Sequence, residues 1–104
     1  MMRVLVALAS LCFALPWGLA RAEPGVSETA ITLGMSSPFS GPNGIYGTEM
    51  REVITAYFDQ INKSGGINGR KLELIALDDG YETEKTLANT KVLIQDKQVF
   101  ALLG

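Results

Sequence analysis

Met50-Arg51-Glu52-Val53-Ile54-Thr55-Ala56-Tyr57-Phe58-Asp59-Gln60-Ile61-Asn62-Lys63-Ser64-Gly65-Gly66 is the stretch that decides the fold class. Met50, Val53, Ile54, Tyr57, Phe58 and Ile61 recur at spacings of three and four, which aligns them on one side of a helix. Glu49, Arg51, Glu52, Asp59 and Lys63 fall on the other side. Gly65-Gly66 ends the helix, because glycine adopts the left-handed conformation that stops one. The stripe, Tyr57 and Phe58 included, is expected to pack into a core.

Working outward, Ala30-Ile31-Thr32-Leu33-Gly34-Met35 alternates apolar with small residues and predicts a strand with Ile31, Leu33 and Met35 on one face. Between strand and helix lies Ser36-Ser37-Pro38-Phe39-Ser40-Gly41-Pro42-Asn43-Gly44, whose two prolines and glycines suit neither element. It is expected to be a loop. After the helix, Asn68-Gly69 is a strong tight-turn signal, and Leu72-Glu73-Leu74-Ile75-Ala76-Leu77 predicts a second strand. Asp78-Asp79-Gly80-Tyr81 turns out of it. A second helix is expected from about Glu82 to Gln95, with Asp79 and Glu82 spaced as a capping box. Its apolar residues Leu87, Ala88, Val92, Leu93 and Ile94 spread around the barrel and leave its orientation open. Val99-Phe100-Ala101-Leu102-Leu103 reads as a strand buried on both faces. The order is β-α-β-α-β. Connections of this length give parallel strands through right-handed crossovers, hence an α/β fold with an open parallel sheet and helices on both faces.

The first twenty-two residues predict export. Met1-Met2-Arg3 is basic, Val4 to Leu15 is an apolar run, Pro16 breaks it, and Ala20-Arg21-Ala22 carries small residues at a cleavage site. A membrane anchor would need about 20 unbroken apolar residues. Cleavage after Ala22 is expected, with Glu23 first. Cys12, the single cysteine, lies inside the removed segment, and bulky Leu11 before it argues against a lipid-attachment site. The mature chain then offers neither a disulfide nor a cysteine-ligated metal, and the sequence has no histidine for a triad or an ordinary zinc site. The expected mature region, 23–104, is the size of one minimal domain. Its seven basic and eleven acidic side chains give a formal charge of −4, with no basic cluster, which argues against nucleic acid or anionic lipid as a partner. With no second long apolar stretch, the mature product is expected to be soluble.

In an open parallel sheet, ligands bind beyond the carboxyl ends of the strands. Two loops, Ser36–Gly47 and Asp78–Tyr81, are expected there, and a third would follow Gly104. A chain that stops on a buried strand reads as the front piece of something longer. Gly41, Gly44 and Gly47 precede a helix, yet their G-x-x-G-x-x-G spacing is neither the dinucleotide fingerprint nor a Walker loop. No cofactor is implied. Asp78 and Asp79, without histidine or a third ligand, are weak support for a metal. They are better explained as capping and shaping the turn. Glu49 and Glu52 read as charges complementing the helix dipole.

Ser40-Gly41-Pro42-Asn43-Gly44-Ile45-Tyr46-Gly47, the helix ending Ile61-Asn62-Lys63-Ser64-Gly65-Gly66-Ile67-Asn68-Gly69, then Lys71-Leu72-Glu73-Leu74 and Asp78-Asp79, together resemble the start of the Leu/Ile/Val-binding protein family of periplasmic solute receptors. The likeness runs from about Ile31 to Gly104. It implies that residues 23–104 form part of the N-terminal lobe of a bilobed periplasmic binding protein. Tyr46 matches an aromatic beside the ligand, and Ser40 and Gly41 match the turn shaping the cleft wall. The family's serine and threonine that hold the ligand carboxylate come after the third strand, beyond Gly104, and the second-lobe groups lie beyond it too.

Three functions are weighed. The first is a non-enzymatic solute-binding component of an ABC importer, monomeric and periplasmic, delivering a branched-chain-type amino acid or similar small polar solute to a membrane permease. The second is an extracytoplasmic ligand-sensing domain of a receptor, which a transmembrane segment farther along the gene would mark. The third is an exported enzyme, for which the chain supplies no histidine and no mature cysteine.

Overall fold

A computed structural model describes residues 23–104; the expected export segment, with Cys12, lies outside the described residues. Strand β1 (Ala30–Ser37) leads through Pro38–Asn43 into helix α1 (Gly44–Lys63). Strand β2 (Lys71–Asp78), helix α2 (Thr83–Lys91), a π-helical turn (Val92–Asp96) and strand β3 (Ala101–Leu103) follow. The sheet is parallel, in the order β2-β1-β3. Ala30 pairs with Lys71 and Ser37 with Asp78 along one side of β1, and Leu33 pairs with Ala101 along the other. The expected β-α-β-α-β order and parallel sheet are therefore present. The first crossover runs from β1 out to β2 and the second returns from β2 across β1 to β3, so right-handed connections in opposite directions place α1 and α2 on opposite faces.

β1 keeps its alternation. Met35 is wholly buried on one pleat, while Gly34 on the other lets α2 and its π turn come close. A Cβ at Gly34 would stand 3.1 Å from Leu93 Cδ2 and 3.1 Å from Val99 Cγ1. Leu93 is the inward residue that the scattered pattern of the second helix did not single out. It is 0% exposed, whereas Leu87 and Ile94 face outward. Burying a side chain of this size contributes roughly 1.5–3 kcal/mol. The π turn makes this possible: Lys97 N–H reaches back five residues to the Val92 carbonyl (2.9 Å), and Val99 N–H bonds Leu93 O (3.1 Å).

Several expectations need correction. Ser36 and Ser37 continue β1, and the helix begins at Gly44, so the loop is only Pro38–Asn43. The proline at 38 stops the strand, not the serines before it. The predicted apolar stripe of α1 is split. Ile54, Phe58 and Ile61 turn inward, but Met50, Val53 (70% exposed) and Tyr57 (62% exposed) face outward, so Tyr57 is not core. Gly44 and Gly47, both buried, mark the true contact edge. The stretch Val99–Leu103 is not buried on both faces. Val99 is buried against Gly34, but Phe100 and Leu102 are exposed because β3 is an edge strand of the described sheet.

The turns behave as their residues predict. Asn68 (φ +50°) and Gly69 (φ +79°) form a tight turn closed by Ile67 N–H to Arg70 O at 2.7 Å and the reciprocal bond at 2.9 Å. Gly66 N–H caps α1 by bonding Ile61 O (3.0 Å). Asn62 then joins α1 to the sheet: its amide donates to Leu72 O (2.9 Å) and accepts from Leu72 N–H (2.8 Å). The side chain thus satisfies a backbone pair on the outer edge of β2 as a neighbouring strand would. Among the described residues no helix is long and apolar enough to cross a membrane.

Gly47 is where α1 meets the end of β1. A Cβ there would lie 1.9 Å from the Pro38 carbonyl oxygen and 2.7 Å from its carbon, both rigid backbone. Gly47→Ala should therefore destabilise the fold by roughly 1–3 kcal/mol, the usual cost of overpacking. Denaturant unfolding of the variant checks this; an unchanged midpoint would mean that the Pro38–Asn43 loop yields freely.

Candidate functional site: the carboxyl end of the sheet

β1 and β2 both end, side by side, in residues whose side chains are polar. Ser36 and Ser37 finish β1, Asp78 finishes β2, and Asp79 follows. The two carboxylates divide the work. Asp78 holds the β1–α1 loop: Oδ1 accepts the N–H of Phe39 (2.9 Å) and of Gly80 (2.9 Å), while Oδ2 accepts the Ser40 hydroxyl. Phe39 is gripped a second time by Arg51, whose guanidinium carbon sits 4.3 Å from the ring centroid. Asp79, 4% exposed, holds the start of α2 instead. Its Oδ2 accepts the hydroxyls of Ser36 (2.8 Å) and Thr86 (3.1 Å), and its Oδ1 accepts Tyr81 N–H (2.9 Å). Asn89 completes the network by donating to Ser36 Oγ (3.2 Å) and to the Asp78 carbonyl (3.0 Å).

The expected capping box does not form. Glu82 is the residue before α2, and no side chain caps the helix; the Glu82 N–H bonds the Asp79 main-chain carbonyl (2.9 Å). The Asp79 carboxylate is already filled by Ser36, Thr86 and Tyr81, so it has no role left at the cap. Shaping the turn is what it does. Among the described residues no group of three acidic, histidine or cysteine side chains could hold a metal.

An open cleft of about 430 Å³ lies over this end, lined by Ser36, Ser37, Pro38, Asp79, Tyr81, Thr83 and Thr86. None of the ligand-side residues singled out from sequence is in its lining. Tyr46 is in the first turn of α1, 65% exposed, and not in a loop. Ser40 is exposed with its hydroxyl committed to Asp78. Gly41 is exposed at φ +72°, with open space for 4 Å around the point where a Cβ would stand. Ser40 and Gly41 lie in the loop that follows β1, and Tyr46 in the first turn of the helix after it. Ser37, Tyr81, Thr83 and Thr86 were missed, since only the adjacency of β1 and β2 brings them together.

The donors on Asp78, first the Phe39 N–H, then the Ser40 hydroxyl and the Gly80 N–H, hold its carboxyl at about 2, below the ordinary 3.8. A carboxyl depressed in the folded state stabilises above its unfolded value, and this contribution is lost as pH falls through the folded one. The loop should therefore loosen between about pH 4 and pH 2. Asp78→Asn should remove that acid-dependent step. A carboxyl titration followed by NMR would check it, and a midpoint near 3.8 would show that the three donors do not hold the group.

Comparison with known proteins places this geometry. Residues 30–104 match the model of the periplasmic binding protein family. The Leu/Ile/Val-binding protein homolog 1 of Brucella abortus is 35% identical over 78 residues, 75% of this chain and 21% of that protein. The branched-chain amino acid transporter substrate-binding protein LivJ from Streptococcus pneumoniae, solved in complex with isoleucine, superposes with TM-score 0.69 at 30% identity. It covers 73% of this chain and 22% of the other. The fatty acid ABC transporter substrate-binding protein from Thermomonospora curvata superposes with TM-score 0.69 at 26% identity, covering 79% and 21%. The chain spans about a fifth of the length of the relatives it matches. A parallel β2-β1-β3 sheet with a cleft at its carboxyl end and a family match over most of the described residues agree: the chain belongs to the periplasmic binding protein family.

Proposed function

We propose that residues 23–104 form part of the N-terminal lobe of a bilobed solute-binding protein that serves an ABC importer. In this reading residues 1–22 direct export to the periplasm, the protein is monomeric, and it hands its solute to a membrane permease without catalysing a reaction. The solute is a branched-chain amino acid or a similar small polar solute. The observation that carries the proposal is the carboxyl-end cleft between the ends of β1 and β2 and the start of α2, in a chain of this family. Such sheets take small ligands at that end. The relative named for leucine, isoleucine and valine supports the choice of solute. The sensing alternative draws nothing from these relatives, which are named for binding and transport.

Tyr46, Ser40 and Gly41 are assigned to the ligand-facing rim. Tyr46 offers a large, exposed aromatic surface on a helix turn anchored by its N–H to Asn43 O (3.2 Å), and an aromatic ring against an aliphatic side chain removes apolar area from water. Ser40 and Gly41 shape the wall, Ser40 through its bond to Asp78.

Calorimetry on the complete exported protein tests the reading. Leucine, isoleucine or valine should bind, and Tyr46→Ala should weaken binding roughly tenfold or more, as loss of about 1.5 kcal/mol or more of apolar burial requires. The thermal transition should be little changed. A response to long-chain fatty acids and none to amino acids would redirect the solute class, and unchanged affinity in Tyr46→Ala would return that residue to a purely structural role. Residues 23–104 made alone should show no amino-acid binding, because one wall of a cleft leaves most of a small solute in water.

A further inference from the structure

The cleft contains two features that the rim residues do not explain. The first is Ser37. It is 9% exposed and lines the cleft, yet its hydroxyl has no hydrogen-bond partner among the described residues. Its neighbours Ser36, Asp79 and Thr86 are bonded to one another, so the difference is specific to Ser37. The hydroxyl is not sealed from solvent, since among the described residues no fully buried side-chain polar atom lacks a partner; it therefore opens to the cleft and is free to bond a group that displaces water there. The second is Tyr81. Its backbone sits at φ +66°, where a bulky side chain is disfavoured, and its ring is 70% exposed, so the strain is not repaid by burial. The Asp79 carboxylate anchors the turn by accepting the Tyr81 N–H (2.9 Å). The result is an aromatic ring standing at the edge of the cleft that Ser37 opens into.

The lining also limits what can enter. Among the described residues it contains no lysine or arginine, so this wall offers no cation to a carboxylate. Asp79 is its only carboxylate; it is almost fully buried and already accepts three hydrogen bonds, which leaves it poorly placed to pair with an ammonium. This wall therefore supplies no free counter-charge for an ionised group, while it does supply neutral hydroxyls. What the cleft offers is a serine hydroxyl, able to donate and to accept, beside an aromatic face. Its volume of about 430 Å³ is in the range of small-molecule sites.

We infer that this cleft is a subsite for the solute's side chain, in which the Ser37 hydroxyl bonds an uncharged hydroxyl or amide and the Tyr81 ring closes over it. The inference rests on the solute-binding reading above and adds to it: the side chain is read by a hydrogen bond as well as by apolar contact.

Valine and threonine, nearly identical in shape, test it in the complete protein by calorimetry. Threonine should bind more tightly than valine. Ser37→Ala should weaken threonine roughly three- to tenfold, the size of one net neutral hydrogen bond, and leave valine unchanged. Ser37→Cys, similar in size but a weak donor, should do the same and guards against a folding defect in either variant alone. Tyr81→Gly suits the left-handed backbone, so it should weaken both amino acids without lowering Tm. A threonine-to-valine ratio that favours valine, or that Ser37→Ala and Ser37→Cys leave unmoved, overturns the inference while the solute reading stands. Unchanged affinity in Tyr81→Gly removes the ring from the site. Binding of no amino acid at all overturns the solute reading itself, and the subsite with it.

Discussion

Two adjacent carboxylates at the end of β2 receive donors from every segment that forms the site. Asp78 collects the loop after β1, and Asp79 collects the end of β1 and the first turns of α2. Each ionised carboxylate can accept several hydrogen bonds, and charge-assisted bonds are stronger than neutral ones. That is why one Asp-Asp pair can organise so much backbone. The pairing also separates two kinds of group. Hydroxyls turned toward the carboxylates, at Ser36, Ser40 and Thr86, are structural. Ser37 lines the same cleft and accepts the Asp79 N–H through its carbonyl (3.1 Å), but its hydroxyl bonds none of that network and remains available.

Much of the fold was legible because it rests on local rules. The period-two run at Ala30–Met35, the helix stop at Gly65-Gly66 and the Asn68-Gly69 turn each depend on neighbours in sequence. The chain order then leaves few topologies to consider. The contact face of α1 was misread for a physical reason. Tyr46, Met50, Val53 and Tyr57 form one helical row, and Ile54, Phe58 and Ile61 another beside it, so apolar periodicity alone gave one broad stripe. The better signal was Gly44 and Gly47, since small residues mark where a helix comes close to its neighbour. The second helix posed the reverse problem: its single inward residue, Leu93, is positioned by a π turn that no regular period predicts.

The site was less legible than the fold. Ser40, Gly41 and Tyr46 came from resemblance, and their place in the loop after β1 and the first turn of α1 follows from the strand-loop-helix order. Ser36, Asp79, Thr86 and Asn89 are spread over more than fifty positions, and their hydrogen bonds exist only because α2 lies across the ends of both strands. Tyr81 gave no signal of its own. After Asp78-Asp79-Gly80 it reads as an ordinary turn residue, and its positive φ occurs in a turn whose N–H the Asp79 carboxylate holds.

The cleft and the core are not separable in this structure, and Gly34 shows why. The missing side chain at Gly34 lets Leu93 and Val99 settle on the pleat that β1 shares with Ser36. That contact fixes how closely α2 and its π turn approach the sheet. Thr86 and Asn89 are carried on the same α2, and their bonds to Asp79 and Ser36 tolerate only a few tenths of an ångström. A side chain at Gly34 large enough to lift Leu93 would therefore lengthen those bonds as well, freeing the Asp79 carboxylate and with it the turn that presents Tyr81. Packing against Gly34 and the hydrogen bonds of Thr86 and Asn89 thus share one support, the seating of α2 and its π turn on β1.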